Sequence, residues 1–260
     1  MRLKQIAEIL DSKLNKSIAE SWDNVGLLVG DTYSDVKKIL LSLELSKSVL
    51  EMAKSENVDL IITHHPAIFS GMKRIVNNSN DNLIFQLISN NISLYSAHTN
   101  FDALENGLND YVANLLGGKN VMMVKTADEE TGICRVFDIE KIKIADFLDH
   151  IKSILEIASL RFVGNLDQEI TKAAVVTGSG SEYIDLAAAH GAQILITGDL
   201  KYHYALELKE KGYNIVDAGH FETEKIFPEV MEMFIKNNIQ ELSKIEIIKS
   251  NVDVNPFEYR

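Results

Sequence analysis

"DLIITHHPAIFSG", residues 59–71, carries an apolar run straight onto two adjacent histidines and a proline. Residues 59–63 are short and apolar on both faces, the pattern of a strand covered on both sides in a parallel sheet. Pro66 biases the residue before it toward extended backbone and removes a donor, so the strand is expected to end at the histidines. Side chains of a continuing strand alternate between faces. At a strand end, however, His64 and His65 can converge on one site, or one can ligate while the other orients it. The alternative is a pair of surface histidines in a loop.

Outward from this stretch, "KKILLSLEL" (37–45) reads as a preceding strand and Ser46 as the N-cap of a helix over 47–56, which makes a βαβ unit. Residues 2–14 place Leu3, Ile6, Leu10 and Leu14 on one helical face. A helix near 81–90, a strand at 92–97 and a helix near 106–116 stopping at Gly117 and Gly118 continue the series. Residues 122–170 change character, with strand-like "GICRVFDI" and "ASLRFVG" around a helix at 144–155. The first pattern then returns as a strand at 171–178, a helix near 181–190 and the strand "QILITG" at 193–198. A shift of 134 residues lays Leu50 on Ile184, Ala53 on Ala187, Ile61 on Leu195, Ile62 on Ile196 and Thr63 on Thr197. The fold class read from this pattern is α/β, a duplicated and mostly parallel βαβ core in two lobes. Residues 1–120 together with 225–260 are expected to form the first lobe and 121–224 the second. The metal site is expected at the carboxyl ends of the strands, in the cleft between the lobes.

Composition narrows the function. With 46% hydrophobic and 25% charged residues the chain has the makeup of a globular protein, and no apolar run reaches the roughly 20 residues of a membrane span. The first residues lack a signal-peptide core, so a cytoplasmic protein is expected. The lone Cys134 fits a reducing compartment and reads as a buried structural thiol. A net charge of −12 argues against general nucleic-acid binding, which needs a basic footprint, but leaves room for a small phosphorylated ligand.

Two further strand ends carry polar residues. "YSAHTNFDALENG" (95–107) delivers His98, Asn100 and Asp102, of which Asn100 or Asp102 could instead cap the following helix. "DAGHFETEKIFP" (217–228) sets His220 and Glu224 four apart, so one helical turn would put them on one face, as ligands or as a surface pair. Pro228 is expected to kink that turn or start a fresh helix. Imidazoles and carboxylates gathered at strand ends suit zinc, iron or manganese, and the set exceeds what one tetrahedral zinc needs. A pair of divalent ions sharing a carboxylate accounts for it and would activate water for hydrolysis. "TGSGS" (177–181) lacks the full dinucleotide fingerprint and reads as a plain turn.

These segments resemble the Nif-three-like proteins with a dinuclear metal centre, often described as GTP cyclohydrolase type 2 homologues. The resemblance rests on "SWDNVGLLVGD" (21–31), "IITHHPAIF" (61–69), "YSAHTNFDA" (95–103), "ITGDLKYHYALE" (196–207) and "DAGHFETE" (217–224). It implies metal ligands at His64, His65, Asp102, His220 and Glu224, with His98, Asp199 and His203 close by. It also implies two divalent metal ions per subunit, a homohexamer, and a short form without an inserted middle domain. Glu44 stands where the family pattern has Asp. The activity expected is metal-dependent hydrolysis of a small-molecule substrate, a purine nucleotide in the manner of a cyclohydrolase, with His98 or His203 moving protons. Lys73, Arg74 and Lys201 could hold phosphates. The rival reading is a non-catalytic, metal-binding hexameric scaffold or regulatory protein. Trp22, Asp23 and Asn24 belong to a signature without a role that the sequence supplies, and His150 and His190 read as structural or surface residues.

Overall fold

The computed structural model describes residues 1–77, 82–125 and 132–258. Close packing divides the chain into two compact units, Met1–Phe101 with Lys225–Arg260, and Asp102–Glu224. The chain opens with α1 (Leu3–Leu14), β1 (Gly26–Val29), β2 (Lys38–Ser42), α2 (Lys47–Ser55), β3 (Leu60–Thr63), α3 (Leu83–Ser89), β4 (Ser93–Ser96) and α4 (Thr99–Ala103). The second unit follows with α5 (Leu108–Leu115), β5 (Lys119–Met123), β6 (Arg135–Lys143), α6 (Ile144–Leu155), β7 (Arg161–Val163), β8 (Glu169–Ser179), α7 (Ile184–Ala189), β9 (Leu195–Gly198), α8 (Tyr202–Lys211), β10 (Ile215–Asp217) and α9 (His220–Glu224). The chain returns to the first unit with α10 (Phe227–Asn238) and β11 (Glu246–Lys249).

The first unit is built on a five-stranded sheet of order β1-β4-β3-β2-β11, parallel except for β1 against β4. The stripe Leu3, Ile6, Leu10 and Leu14 of α1 is fully buried. Burial of each such side chain stabilises by roughly 1.5–3 kcal/mol, which holds the helix on its sheet. The Ser46 hydroxyl accepts the Val49 amide at 3.1 Å and starts α2, whose Val49, Leu50 and Ala53 meet Leu40, Ile61 and Leu94 in the core. β2 ends at Ser42 rather than reaching 45; there the Ser42 hydroxyl lies 3.0 Å from the Glu44 carbonyl and 2.8 Å from the Asp253 carboxylate. The predicted helix over 81–90 is found as α3; residue 81 lies outside the described residues.

The second unit has a six-stranded sheet of order β5-β6-β8-β9-β10-β7. Its centre, β8-β9-β10, is parallel, and β5, β6 and β7 flank it antiparallel. The internal duplication extends to register. Leu40 pairs with Ile61 and Leu41 with Ile62; 134 residues on, Ala174 pairs with Leu195 and Val175 with Ile196. Ile184 and Ala187 of α7 are buried as Leu50 and Ala53 are in α2. The first unit closes earlier than the expected boundary at 120, because α5 packs on β8 and β6 of the second sheet. Asn109 of that helix fixes the contact, accepting the Thr177 amide at 2.8 Å. Cys134 is fully buried, and that burial pushes its thiol up to about 12. Among the described residues no helix is long and apolar enough to cross a membrane.

Candidate metal centre

The end of β3 resolves the adjacent histidines. The amides of His64 and His65 both donate to the Leu43 carbonyl, at 3.1 and 3.0 Å, so the chain leaves the ladder and turns. The Thr63 hydroxyl donates to the His65 carbonyl, and the Ser96 hydroxyl to that of His64, both at 2.9 Å. The two rings come to lie 5.2 Å apart, and His98, just past β4, places its ring 5.1 Å from His64 and 5.6 Å from His65. One nitrogen of each of His64, His65 and His98 lies within 4.8 Å of the others. His64 is fully buried, its ring against that of Phe227 at 5.0 Å. Its Nδ1 donates to the Ala97 carbonyl at 2.8 Å, which fixes the tautomer and presents Nε2 as the lone-pair nitrogen.

His98 is oriented in the same way by a carboxylate that sequence reading left without a role. β1 runs antiparallel to β4 with Gly26 opposite Ser96, so residues 22–24 return beside 97–99. Asp23 accepts the His98 Nδ1 proton at 2.9 Å, the Thr99 amide at 3.1 Å and the Thr99 hydroxyl at 2.6 Å. Burial would raise this carboxyl, yet the hydrogen bonds from His98 and Thr99 hold it down at about 2. The ionised Asp23 therefore keeps the proton on Nδ1 and leaves Nε2 of His98 to the site. The local signal was the placement of "WDN" just before a strand; the partner lies 75 positions on, which no local pattern encodes.

In the second unit, α9 makes the one helical turn that the spacing of His220 and Glu224 allows, and α10 begins afresh with Pro228 in its first turn. His220 Nε2 stands 3.0 Å from Glu224 Oε2, and His220 Nδ1 is 2.7 Å from Asp199 Oδ2. Burial would lower the imidazole, but the Glu224 and Asp199 carboxylates on its two nitrogens raise it to about 10. Asp199 follows β9 with φ of 54°, a left-handed conformation Asp tolerates, which turns its carboxylate to His220. Glu224 is buried, its side chain only 4% exposed. "TGSGS" does more than turn: Gly178 has φ of 64°, and a Cβ there would collide with Glu224 Oε1 and come within 3.2 Å of His220 Nε2. The Gly178 amide also donates to the Thr223 hydroxyl at 3.0 Å, tying α9 to β8.

Of the residues expected at the site, His64, His65 and His98 thus gather in the first unit, and His220, Glu224 and Asp199 in the second. Asp102 is buried in the last turn of α4, its carbonyl accepting the Asn109 side-chain amide. Asn100 lies inside α4 and donates to the Leu14 carbonyl, so it does not cap the helix from outside. His203 is exposed on α8 with its ring edge-on to Tyr202 at 5.3 Å, and among the described residues it joins neither group. Lys73, Arg74 and Lys201 are exposed. His150 stacks on Phe147, and the ring of His190, just past the end of α7, donates to the Leu186 carbonyl of that helix, both local structural contacts.

Known proteins resemble this chain along its whole length. The chain is 39% identical over 266 residues to the GTP cyclohydrolase 1 type 2 homolog of Clostridium perfringens (strain 13 / Type A), covering all of both chains. It is 33% identical over 260 residues to the protein of the same name in Campylobacter jejuni, again with both chains fully covered. Among solved structures, Staphylococcus aureus protein SA1388 superposes with a TM-score of 0.92 at 29% identity, over 100% of this chain and 99% of that one. A family model described as Duf34/NIF3 (NGG1p interacting factor 3) matches residues 1–256, and the chain belongs to that family.

Proposed function

We propose that the protein is a dinuclear-metal-dependent hydrolase acting on a purine nucleotide, with His64, His65, Asp102, His220 and Glu224 as ligands and a homohexamer as its assembly. The observation that carries the metal reading is the preset tautomer of His64, whose Nδ1 is committed to the Ala97 carbonyl, in a group where one nitrogen of each of His64, His65 and His98 lies within 4.8 Å of the others. A carbonyl behind a ligating imidazole is the usual arrangement at metal centres. His220 and Glu224 supply the mixed nitrogen and oxygen donors that zinc, iron and manganese accept. The Glu224 and Asp199 carboxylates on the two nitrogens of His220 raise it well above its ordinary value, so positive charge is favoured at this place.

When bound, divalent ions supply Lewis acidity and lower the pKa of water to near neutrality. The chain's own part is to orient and to carry protons. Asp23 fixes His98 so that Nε2 can take a proton from water and return it to the leaving nitrogen. The nucleotide reading draws on the names of the relatives, GTP cyclohydrolase 1 type 2 homologs. Incubating the zinc-, iron- and manganese-loaded protein with GTP, other nucleotides and phosphoesters tests it. Turnover that needs metal and falls by about a hundredfold or more in His98→Ala supports hydrolysis with proton transfer. Full metal loading without turnover of any of them supports the scaffold.

A further inference from the structure

Trp22 is the single tryptophan of the chain and leaves 55% of its surface exposed; Phe69, after the histidine turn, is 56% exposed. Large aromatic side chains bury most of their surface unless a partner or ligand covers them. The two rings are neighbours, with centroids 5.7 Å apart and planes tilted by 40°, so neither ring lies flat on the other. They are held there from both sides. Asp23, next to Trp22, anchors to His98 and Thr99, and the Asn24 side-chain amide donates to the Ile68 carbonyl at 2.5 Å, beside Phe69. Trp22 also meets the ring of His98 edge-on at 5.9 Å, and His98 belongs to the histidine group. A planar ligand laid on Trp22 would therefore have its edge beside the donors.

We propose that Trp22 and Phe69 form the platform on which the base of a purine nucleotide stacks, with the ring edge directed at His98. The inference rests on the hydrolase reading for its substrate and adds the residues that recognise the base. Two exposed aromatic rings offer π-faces to a heterocycle and nothing to a phosphate. Lys73 and Arg74, exposed four and five residues after Phe69, suit the anionic part of the same molecule. The net charge of −12 favours a mononucleotide over a polynucleotide.

Because Trp22 is the chain's one tryptophan, its fluorescence reports on the platform without any turnover. The full-length protein, both metal-free and zinc-loaded, is titrated with guanosine, GTP, ribose 5-phosphate and tripolyphosphate, with excitation at the red edge of the tryptophan band and free tryptophan as the absorbance control. Saturable quenching by guanosine and GTP, absent with ribose 5-phosphate and tripolyphosphate, is expected. Calorimetry of Phe69→Ala and Trp22→Ala should show GTP binding about tenfold weaker, with Trp22→Phe close to wild type. No quenching by either base-bearing ligand, or unchanged GTP affinity in Phe69→Ala, overturns the platform. A fall in particle mass in Trp22→Ala by light scattering also overturns it, since the rings would then be covered by a second copy. Quenching without turnover would leave the platform standing and remove the hydrolase; turnover with unaltered KM in Phe69→Ala would do the reverse.

Discussion

Asp23 shows how much of the site depends on a residue that is not itself a donor to a metal. Its carboxyl, held at about 2 against the ordinary 3.8, contributes stability that is complete above pH 4 and is lost as pH falls through 2. The sign follows from the depressed native pKa: protonation favours the unfolded chain. The shift corresponds to roughly 2 kcal/mol, so Asp23→Asn is expected to unfold at a lower denaturant concentration at pH 7 and to show a shallower loss of stability between pH 4 and 2. Urea melts of both proteins across that range check it, and parallel pH profiles would contradict the assignment. At this scale the sequence was informative about chemistry and silent about partners. His64, His65, His220 and Glu224 could be singled out because strand ends and i, i+4 spacing are local properties. Asp23 could not, because its partner arrives through the pairing of β1 with β4. His203 came from the family resemblance through "ITGDLKYHYALE" rather than from a local property, and it is exposed on α8.

At the scale of the element, the βαβ units were legible because a buried parallel strand writes itself as an apolar run and Ser46 marks where α2 begins. β1 and β11 were not, being four-residue strands at the sheet's two edges with no alternation to separate them from loop. The irregularity at the end of β8 was also hidden: the register shifts between Val175 and Ser179, and Gly178 there takes a conformation that other residues rarely adopt. The missing Cβ of Gly178 leaves the room in which the Glu224 carboxylate approaches the sheet. Gly178→Ala would both strain the backbone and drive a methyl group into the Glu224 carboxylate. A loss of about 1–3 kcal/mol in stability is expected, together with weaker metal retention. Thermal melts and metal analysis of the variant measure the two effects. A Gly178→Ala protein as stable and as metal-loaded as wild type would show that the close approach is not required.

For the whole molecule, the sequence disclosed the repeat of 134 residues, and the matched registers of β2 with β3 and of β8 with β9 follow it. It placed the first boundary too late, since the amphipathic pattern of α5 reveals that one face is buried but not which sheet buries it. Symmetry lies beyond any single chain's periodicity, and the hexamer is proposed from family membership. Light scattering should return about six times the 29.1 kDa chain mass, and a monomer at micromolar concentration would contradict it. If the gathered donors hold two divalent ions, metal content per chain reports them without any assay of activity. After reconstitution and dialysis, elemental analysis of the wild type should give two ions per chain. Glu224→Gln, which removes the longer carboxylate proposed to bridge, should lose or scramble both, while Asp102→Asn keeps partial occupancy. A wild-type chain that retains no divalent metal would rule out the metal centre, and a Glu224→Gln chain that keeps both ions at full occupancy would rule out the bridge.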